Sequence, residues 1–247
     1  MAMAKGVRLD QALVQRGFFA SRKQAQSAIM AGEVRVNGQI ALKPSDSVLD
    51  RHEVAVAAPP RYVGRGGLKL EGALAHFAID CADKTALDIG ASTGGFTDCL
   101  LQHGARKVYA VDVGHGQLAW KIRDDPRVFT LEKTNARSLS AAQIPEPIDI
   151  CVIDVSFISL TLILPNALQL LTPEGVTLAL IKPQFELGRE DVGRGGIVRS
   201  VELHEKAQQK VATFAGTIGA RVRGLVPSVI AGTDGNQEFF ICLRKGL

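Results

Sequence analysis

The chain has 247 residues, 46% of them hydrophobic, and a formal net charge of +4 at pH 7. A chain of this length can bury a full core and still carry a small second domain. The composition argues against a membrane span, because no run of about 18 uninterrupted apolar residues occurs. The first residues lack the apolar core of a secretory signal, so we expect a cytoplasmic protein.

Positive charge is concentrated at the N-terminus. Residues 1–65 contain ten lysines and arginines against five acidic residues, whereas the remainder contains nineteen against twenty. This asymmetry indicates one module made for a polyanion and another made for something else. The alternative is a solvated face on an ordinary domain, and charge alone does not decide between the two.

The first segment predicts two short helices followed by a β-hairpin. Apolar residues recur at helical spacing in two groups, Leu9, Ala12 and Leu13 and then Ala25, Ala28 and Ile29. Ser21 is placed to cap the second helix and Gly32 to end it. The stretch EVRVNGQIAL that follows predicts a strand, an Asn-Gly turn and another strand.

Basic side chains lie on or near the starts of these predicted helices, where outward-facing backbone N–H groups also favour phosphate. They are Arg8, Arg16, Arg22 and Lys23. Through RLDQAL, SRKQAQSAI, GEVRVNG and KPSD, the segment resembles the alpha-L RNA-binding domain first known from a small-subunit ribosomal protein. The resemblance implies recognition of structured RNA by its shape and backbone. We therefore expect residues 1–59 to form a small α+β RNA-binding domain.

A joint rich in proline and glycine, AAPPRYVGRGG, follows this segment, and we place the domain boundary near Pro60. Over residues 60–247, apolar strand-like runs alternate with longer amphipathic stretches. Strands that are apolar throughout and alternate with helices predict a doubly wound, Rossmann-like α/β domain with a mostly parallel sheet. The stretches RVRGLVPSVI and EFFICLRK, joined by a turn, predict an antiparallel pair that closes the sheet.

A glycine-rich turn between a strand and a helix, LDIGASTGGFTDCLLQHGA, predicts a site where backbone N–H groups approach a ligand. A nicotinamide cofactor is one candidate, but the usual G-x-G-x-x-G spacing is absent. The form D-x-G-x-x-x-G-G-F resembles instead the S-adenosylmethionine loop of doubly wound methyltransferases. This resemblance implies cofactor binding by Asp88, Gly90, Ala91, Ser92, Gly94, Gly95 and Phe96. Asp112, at the end of the next strand, is then placed to accept both ribose hydroxyls, and Asn135 is a candidate for the adenine edge.

Polar residues also end two apolar strands. Asp154 closes DICVID and Lys182 closes VTLALIK. Because ligands bind beyond the carboxyl ends of parallel strands, we expect both side chains to point into one pocket. Glu238 opens the final strand toward the same edge, and Lys69 lies just before the first strand. The alternative is that the two lysines form ordinary ion pairs with the two acids.

In order and setting, these four residues resemble the Lys-Asp-Lys-Glu tetrad of FtsJ-like ribose 2′-O-methyltransferases. Together with RGGLKLEGAL, DVSFISL, IKPQFE and DGNQEFF, and behind an alpha-L domain, they resemble the TlyA family of rRNA methyltransferases over nearly the whole chain. The resemblance implies S-adenosylmethionine as methyl donor, rRNA within ribosomal subunits as partner, and a cytidine 2′-hydroxyl as target. It implies catalytic roles for Lys69, Asp154, Lys182 and Glu238.

The chemistry accounts for a lysine at a strand end. Methyl transfer needs oxygen, carbon and sulfur in line, and a group that accepts one proton. Lys182 either accepts that proton, for which its amine must be neutral, or orients the hydroxyl and stabilises developing negative charge while the proton leaves to water. The histidines and cysteines show no metal-ligand spacing, and methyl transfer from a sulfonium needs no metal.

The polar, glycine-rich stretch QFELGREDVGRGGIVRS predicts a functional loop. Arg189, Arg194 and Arg199 on this loop, and Arg65 beside Lys69, are candidates for closing over the cofactor or clamping phosphates. Solvated loop arginines are the simpler alternative.

Three other functions stay open. An RNA base methyltransferase is disfavoured, because the chain has no Asn/Asp-Pro-Pro-Tyr/Phe element and no cysteine at a strand end. A membrane-active haemolysin is disfavoured, because the sequence supplies no long apolar helix and no strongly amphipathic basic one. A catalytically idle RNA-binding assembly factor would lack methyl transfer altogether.

Overall fold

The computed structural model describes residues 6–57, 60–188, 190–232 and 234–246, and only the backbone of residue 194. The chain falls into two compact units, Met1–Pro60 and Arg61–Leu247. The domain limits 1–59 and 60–247 stay a prediction, because compact units report contacts and not independent folding.

The described part of the smaller unit contains two helices and five short strands. In chain order these are β1 (Val7–Arg8), α1 (Leu9–Gln15), α2 (Arg22–Met30), β2 (Val34–Val36), β3 (Gln39–Ile40), β4 (Ser47–Val48) and β5 (Val54–Val56). Strand β1 pairs antiparallel with β4, and β2 lies between β3 and β5 in a second antiparallel sheet. Asn37 and Gly38 have φ angles of 51° and 79°, as a tight hairpin turn requires. The helix pair and the Asn-Gly hairpin are confirmed.

The apolar faces of both helices pack against the strands of this unit. Its buried core consists of Leu9, Ala12, Leu13, Ala25, Ala28, Ile29, Val34, Ala41 and Val48. The predicted cap of α2 is present, because the Ser21 hydroxyl accepts a hydrogen bond from the Gln24 backbone N–H at 3.3 Å.

Three of the four predicted RNA-binding residues of this unit lie at helix starts. Arg8 precedes α1, Arg22 begins α2, and Lys23 follows it. The expected position of Arg16 was wrong, because α1 ends at Gln15 and Arg16 caps its C-terminus. The Arg16 guanidinium donates instead to the carbonyl oxygens of residues 49 and 52, at 3.0 and 2.9 Å, and so holds the connection between β4 and β5.

Asp10 is a fully buried carboxylate on α1. It accepts hydrogen bonds from the Arg8 guanidinium at 3.1 and 3.0 Å, from Arg22 at 3.0 Å and from the Gln26 amide at 2.7 Å. The Arg8 hydrogen bonds, with those from Gln26 and Arg22, hold the pKa of Asp10 well below its usual range. Asp10 therefore ties the starts of α1 and α2 together and fixes two half-exposed arginines.

The larger unit alternates strands and helices. In chain order its elements are α3 (Gly66–Phe77), β6 (Thr85–Ile89), α4 (Gly95–Gln102), β7 (Lys107–Val111), α5 (Trp120–Arg123), β8 (Val128–Leu131), β9 (Ile148–Ile153), α6 (Leu164–Gln169), β10 (Leu171–Ile181), α7 (Pro183–Glu186), α8 (Val201–Thr217), β11 (Ala220–Pro227) and β12 (Phe239–Lys245). They form a seven-stranded sheet in the order β11-β12-β10-β9-β6-β7-β8.

Strand β12 runs antiparallel to both neighbours, whereas β10, β9, β6, β7 and β8 are parallel. The mostly parallel sheet with an antiparallel last strand is therefore confirmed. The chain builds outward from β6 to β7 and β8, then returns to place β9 on the other side of β6. A doubly wound sheet binds its ligands at such a reversal, beyond the carboxyl ends of the two central strands.

Helices cover both faces of the sheet. Because side chains alternate along a strand, Leu87 and Ile89 enter the core beneath α6 and α8, whereas Ala86 enters the core beneath α3 and α4. The four cysteines are buried and unpaired in this unit, and burial raises the pKa of each thiol. Among the described helices, none combines the length and the apolar character that a bilayer crossing needs.

Replacing Asp10 with asparagine should destabilise the smaller unit by about 1–3 kcal/mol at pH 7, because a buried charge held by three side chains is lost. A carboxyl whose pKa is lowered by folding contributes stability above its unfolded pKa of about 4 and loses it as it protonates. The stability lost through Asp10→Asn should therefore become smaller as the pH is lowered. Hydrogen exchange of α1 and α2 under denaturant measures it, with exposed Asp46→Asn as control. Equal costs for both variants, or a cost that grows in acid, would contradict this role.

Candidate active site

The carboxyl ends of β6 and β9 meet at the glycine turn. Gly90 follows β6 with a φ of 87°, and a Cβ atom there would lie 2.3 Å from the Asp154 carbonyl oxygen, so only glycine fits. The Asp154 backbone N–H donates to the Ile89 carbonyl oxygen at 2.9 Å. The turn therefore sets the first residue after β6 directly against the first residue after β9.

A cavity of about 530 Å³, the larger cavity, opens beyond the ends of β6, β7 and β9. Its walls are mainly apolar with a few polar groups, as in most small-molecule sites. It is lined by Ile89, Gly90, Ser92, Val111, Asp112, Val113, Gln117, residues 134–137, residues 154–158 and Ile163.

Besides Ser92, two predicted cofactor residues offer side-chain hydrogen-bonding groups in this cavity. Asp112 is oriented by the backbone, since Oδ2 accepts from the Ser92 N–H at 2.8 Å and Oδ1 from the Gly114 N–H at 2.7 Å. Each carboxylate oxygen can still accept from a ligand hydroxyl. The Asn135 amide oxygen accepts from the Arg137 N–H at 3.0 Å, which leaves its amide nitrogen as the donor toward a ligand.

A second cavity of about 220 Å³, the smaller cavity, adjoins the first, because Gly90, Ser92 and Asp154 line both. It is lined by Gly64, Arg65, Gly66, Lys69, Gly90, Ala91, Ser92, Thr93, Gly95, Phe96, Asp154, Lys182, Gln184, Phe185, Gly232, Asp234 and Glu238. All four residues of the predicted tetrad thus meet in one cavity, although they come from distant parts of the chain.

The tetrad forms two ion pairs inside the smaller cavity. Lys69 lies on α3, and its Nζ is 2.5 Å from Oε2 of Glu238, which precedes β12. This pair is almost withdrawn from solvent, with Lys69 8% and Glu238 3% exposed. Lys182 follows β10, and its Nζ is 2.6 Å from Asp154 Oδ1, at angles outside those of a hydrogen bond. The two lysines and two acids sum to zero charge, which offsets part of the cost of burial.

The remaining predicted cofactor residues have different surroundings. Asp88 and Gly94 are absent from the described residues that line either cavity. Gly94, with a φ of 93°, packs against Leu118, so its role lies in the shape of the turn. Phe96 is 3% exposed and stacks on Phe240 with ring centroids 6.0 Å apart, so it is mainly a core residue at the edge of the smaller cavity.

Of the four arginines predicted to clamp phosphates or close over the cofactor, one in the described part of the chain lines a cavity of the site. Arg65 lines the smaller cavity, and its guanidinium donates to the Ala231 carbonyl oxygen at 3.0 Å. Arg199 is exposed. Arg189 and the side chain of Arg194 lie outside the described residues, and their phosphate-clamping role stays a prediction.

Ser156, Gln184 and Glu186 are polar residues in or beside the site that the sequence did not identify. Ser156 Oγ accepts a hydrogen bond from Lys182 Nζ at 2.9 Å. The Gln184 amide oxygen is buried at the smaller cavity without a hydrogen-bond partner in the described part of the chain. Glu186 accepts from the Ser159 hydroxyl at 2.6 Å and the Leu160 N–H at 2.7 Å. Their only signal is position, since each closely follows a predicted strand end.

Comparison with known proteins agrees with this geometry. The model of the FtsJ-like methyltransferase family matches residues 62–245, and that of the S4 domain matches residues 7–54. The chain is 45% identical to the 16S/23S rRNA (cytidine-2′-O)-methyltransferase TlyA of Mycobacterium tuberculosis, over 98% of this chain and 91% of that protein. It is 43% identical to Hemolysin A of Brachyspira hyodysenteriae, over 94% of this chain and 98% of that protein.

A solved structure shares the whole fold. A protein of Streptococcus thermophilus described as a hemolysin is 46% identical, with a TM-score of 0.76 over 99% of this chain and 90% of that chain. Fold, site and family match together define an enzyme, a methyltransferase of the FtsJ-like class. Within that class the chain belongs to the TlyA family. The family resemblance seen in the sequence is confirmed.

Asp88 lies beneath the glycine turn as a fully buried carboxyl group. The Thr97 hydroxyl donates to its Oδ2 at 2.6 Å, whereas Oδ1 has no partner among the residues described. Burial, together with the charges of Asp154 and Asp112, raises the pKa of Asp88 to about 7, against the opposing hydrogen bond from Thr97.

An Asp88→Asn variant should gain stability relative to the unchanged protein as the pH rises from about 4 to about 7. The unfolded aspartate loses its proton near pH 4, whereas the folded one keeps it to about 7. The folded state therefore binds the extra proton, and the stability of the unchanged protein falls across this window. Urea unfolding of both proteins between pH 4 and 8 measures the difference, with exposed Asp124→Asn as control. Parallel curves for Asp88→Asn and the unchanged protein would exclude the effect.

Proposed function

We propose that the protein transfers the methyl group of S-adenosylmethionine to the 2′-hydroxyl of a cytidine in ribosomal RNA. The observation that carries this proposal is the meeting of Lys69, Asp154, Lys182 and Glu238 in the smaller cavity. That cavity adjoins a second one with the walls and polar groups of a nucleoside site. One compartment thus suits the methyl donor and the other the target ribose.

The larger cavity fits S-adenosylmethionine by its volume and its donor set. Its 530 Å³ lies within the range of about 300–1,000 Å³ usual for small-molecule sites. The Asp112 carboxylate offers two acceptors for neighbouring ribose hydroxyls, and the Asn135 amide offers a donor to the adenine edge. Gly90 and Ser92 lie where this cavity meets the smaller one, so they would hold the methionine end. S-adenosylmethionine supplies a methyl group that its sulfonium already activates.

The residues of the smaller cavity have complementary tasks in the transfer. Lys182 contacts the target hydroxyl, and Asp154 holds the Lys182 amine in place through their ion pair. A neutral amine accepts the hydroxyl proton, whereas an ammonium group stabilises the oxygen while the proton leaves to water. Lys69 and Glu238 line the same cavity, and their ion pair keeps it polar without adding net charge.

The RNA substrate is supported by the smaller unit. It matches the S4 domain, and the 45% identical mycobacterial relative is named for 16S/23S rRNA. Arg8 and Arg22 are half-exposed, and Lys23 is exposed beside them on α2. Such side chains bind phosphates and position a nucleic acid without reading its sequence. A ribosomal RNA substrate within the subunits would place the activity in the cytoplasm.

Methylation of an RNA base is the rival reaction. Attack on a pyrimidine carbon needs a thiolate nucleophile, and the described residues that line the two cavities include no cysteine. Cys151, the cysteine nearest in sequence to Asp154, is buried in the core beneath α6 and α8. The described lining therefore offers no nucleophile for methylation at a pyrimidine carbon.

The direct test incubates the protein with S-adenosylmethionine labelled in its methyl group and separate small and large ribosomal subunits from a strain that lacks the protein. Labelled rRNA is then hydrolysed in alkali, and its nucleosides are mapped. A ribose 2′-O-methyl group blocks cleavage at its own phosphodiester, so the label should appear in an alkali-resistant dinucleotide containing cytidine. Label in a mononucleotide would assign base methylation instead.

A Lys182→Ala variant should lose at least about 100-fold in kcat, because the group that contacts the hydroxyl is removed. Its affinity for ribosomal subunits should stay within a factor of about two, since the smaller unit is unchanged. Labelled-methyl transfer and filter binding measure the two quantities. Lys206→Ala, which removes a side chain 61% exposed on α8, is the matched control. Undiminished transfer would remove Lys182 from the mechanism.

Replacing Asp112 with asparagine should weaken S-adenosylmethionine binding at least about tenfold, because hydrogen bonds to a charged carboxylate contribute about 1.5–3 kcal/mol. Isothermal titration calorimetry measures the dissociation constant. Asp124→Asn controls for a change of charge on this unit, and thermal melting checks that each variant is folded. Unchanged affinity in a folded Asp112→Asn protein would assign the ribose contact elsewhere.

A further inference from the structure

Ser156 contacts Lys182, the tetrad lysine that follows β10, although the two residues line different cavities. Lys182 Nζ donates to Ser156 Oγ at 2.9 Å while it lies 2.6 Å from Asp154 Oδ1. Ser156 lines the larger cavity and Lys182 the smaller one. This hydrogen bond therefore spans the place where the two cavities adjoin, which is where a methyl group has to pass from donor to acceptor.

We propose that Ser156 is a positioning residue for the methyl transfer and, with Asp154, sets the direction of the Lys182 amine; this role rests on the proposed function. A lysine nitrogen is tetrahedral, and one of its four positions is bonded to Cε. Ser156 occupies one of the other three through its hydrogen bond, and the Asp154 carboxylate lies against Nζ at ion-pair distance. The side of Nζ that faces neither residue is left for the substrate hydroxyl, as a lone pair of the neutral amine or an N–H of the ammonium group. Both catalytic routes require this remaining position to be aimed.

The chemical character of Ser156 suits this task. A hydroxyl accepts a hydrogen bond from the amine without adding charge, whereas a second carboxylate in its place would favour the charged ammonium group. During transfer the target oxygen bonds to the methyl carbon as the carbon–sulfur bond breaks, and the hydroxyl proton passes to Lys182 or to water. Ser156 exchanges no proton in this step, so it contributes direction and not acidity.

The chain around Ser156 is held at both ends. The Asp154 N–H donates to the Ile89 carbonyl oxygen at 2.9 Å. On the other side, the Ser159 hydroxyl and the Leu160 N–H both donate to Glu186, at 2.6 and 2.7 Å. Glu186 lies on α7, the helix that begins immediately after Lys182. The segment that carries Ser156 is thus tied to the element that carries Lys182, and the hydrogen bond between them has a fixed frame.

The test compares three variants in the full chain: Ser156→Ala, Ser156→Thr and, as a matched control, the exposed Ser140→Ala. Steady-state transfer of labelled methyl to ribosomal subunits gives kcat and KM, calorimetry gives the affinity for S-adenosylmethionine, and thermal melting reports the fold. We expect Ser156→Ala to lower kcat about tenfold with KM and cofactor affinity changed less than about twofold. Ser156→Thr keeps a hydroxyl and should restore most of kcat, and Ser140→Ala should match the unchanged protein.

Each other outcome overturns the role. Undiminished kcat in Ser156→Ala removes Ser156 from the reaction. A loss of kcat accompanied by a lower melting temperature and weaker cofactor binding, and not restored by threonine, assigns Ser156 a purely structural role. If the unchanged protein transfers no methyl group to ribose, the proposed function fails and the Ser156 role fails with it. Normal transfer by the unchanged protein with an equally active Ser156→Ala variant contradicts only the Ser156 role.

Discussion

The close approach of Gly90 to the Asp154 carbonyl oxygen determines where the other parts of the site can lie. Strands β6 and β9 are neighbours in the sheet although about 60 residues separate them, and their ends can meet only if the residue after β6 has no side chain. Asp154 consequently lines both cavities, and Lys182, which follows the next parallel strand, lies within ion-pair distance of it. A wider spacing at this turn would separate the two cavities.

The pairing of charges in the smaller cavity answers a second physical demand. The methyl donor proposed for the larger cavity is a sulfonium cation, and two unpaired ammonium groups beside it would repel it. Each lysine instead has its own acid, Glu238 for Lys69 and Asp154 for Lys182. The lysines can therefore lie close to a cationic cofactor. The two lysine side chains are buried alike, at 10% and 11% exposed, whereas Asp154 at 22% is more exposed than Glu238 at 4%.

How far the sequence predicts this structure depends on how much of each feature is local. Asp154 and Lys182 were predictable because a polar residue that ends an apolar strand marks the ligand-binding edge of a parallel sheet. The glycine turn and Asp112 follow from the same rule. Lys69 was correctly brought to the site, but its place on α3 has no strand-end signal and depends on the family resemblance.

Other features depend on contacts that no local pattern encodes. Ser156 is an exposed serine in a loop, and only the three-dimensional path of the chain brings it to Lys182. Asp10 is a fully buried polar residue in α1, held by Arg8 from the end of β1 and by Arg22 and Gln26 from α2. Arg16 was misplaced because the end of α1 is set by the turn that follows it. Side-chain partnerships across the chain, more than secondary structure, are what the sequence left unresolved.

The positions of the cysteines allow local opening of the larger unit to be followed by their chemical modification. All four thiols lie in the larger unit, buried and with their pKa values raised, so a thiol-reactive reagent meets neither access nor a thiolate while this unit is closed. The smaller unit contains no cysteine and is silent to such a reagent. The rate of alkylation would therefore measure local opening of the larger unit alone. Slower alkylation after S-adenosylmethionine is added would show that the bound cofactor suppresses this opening, without any labelled RNA.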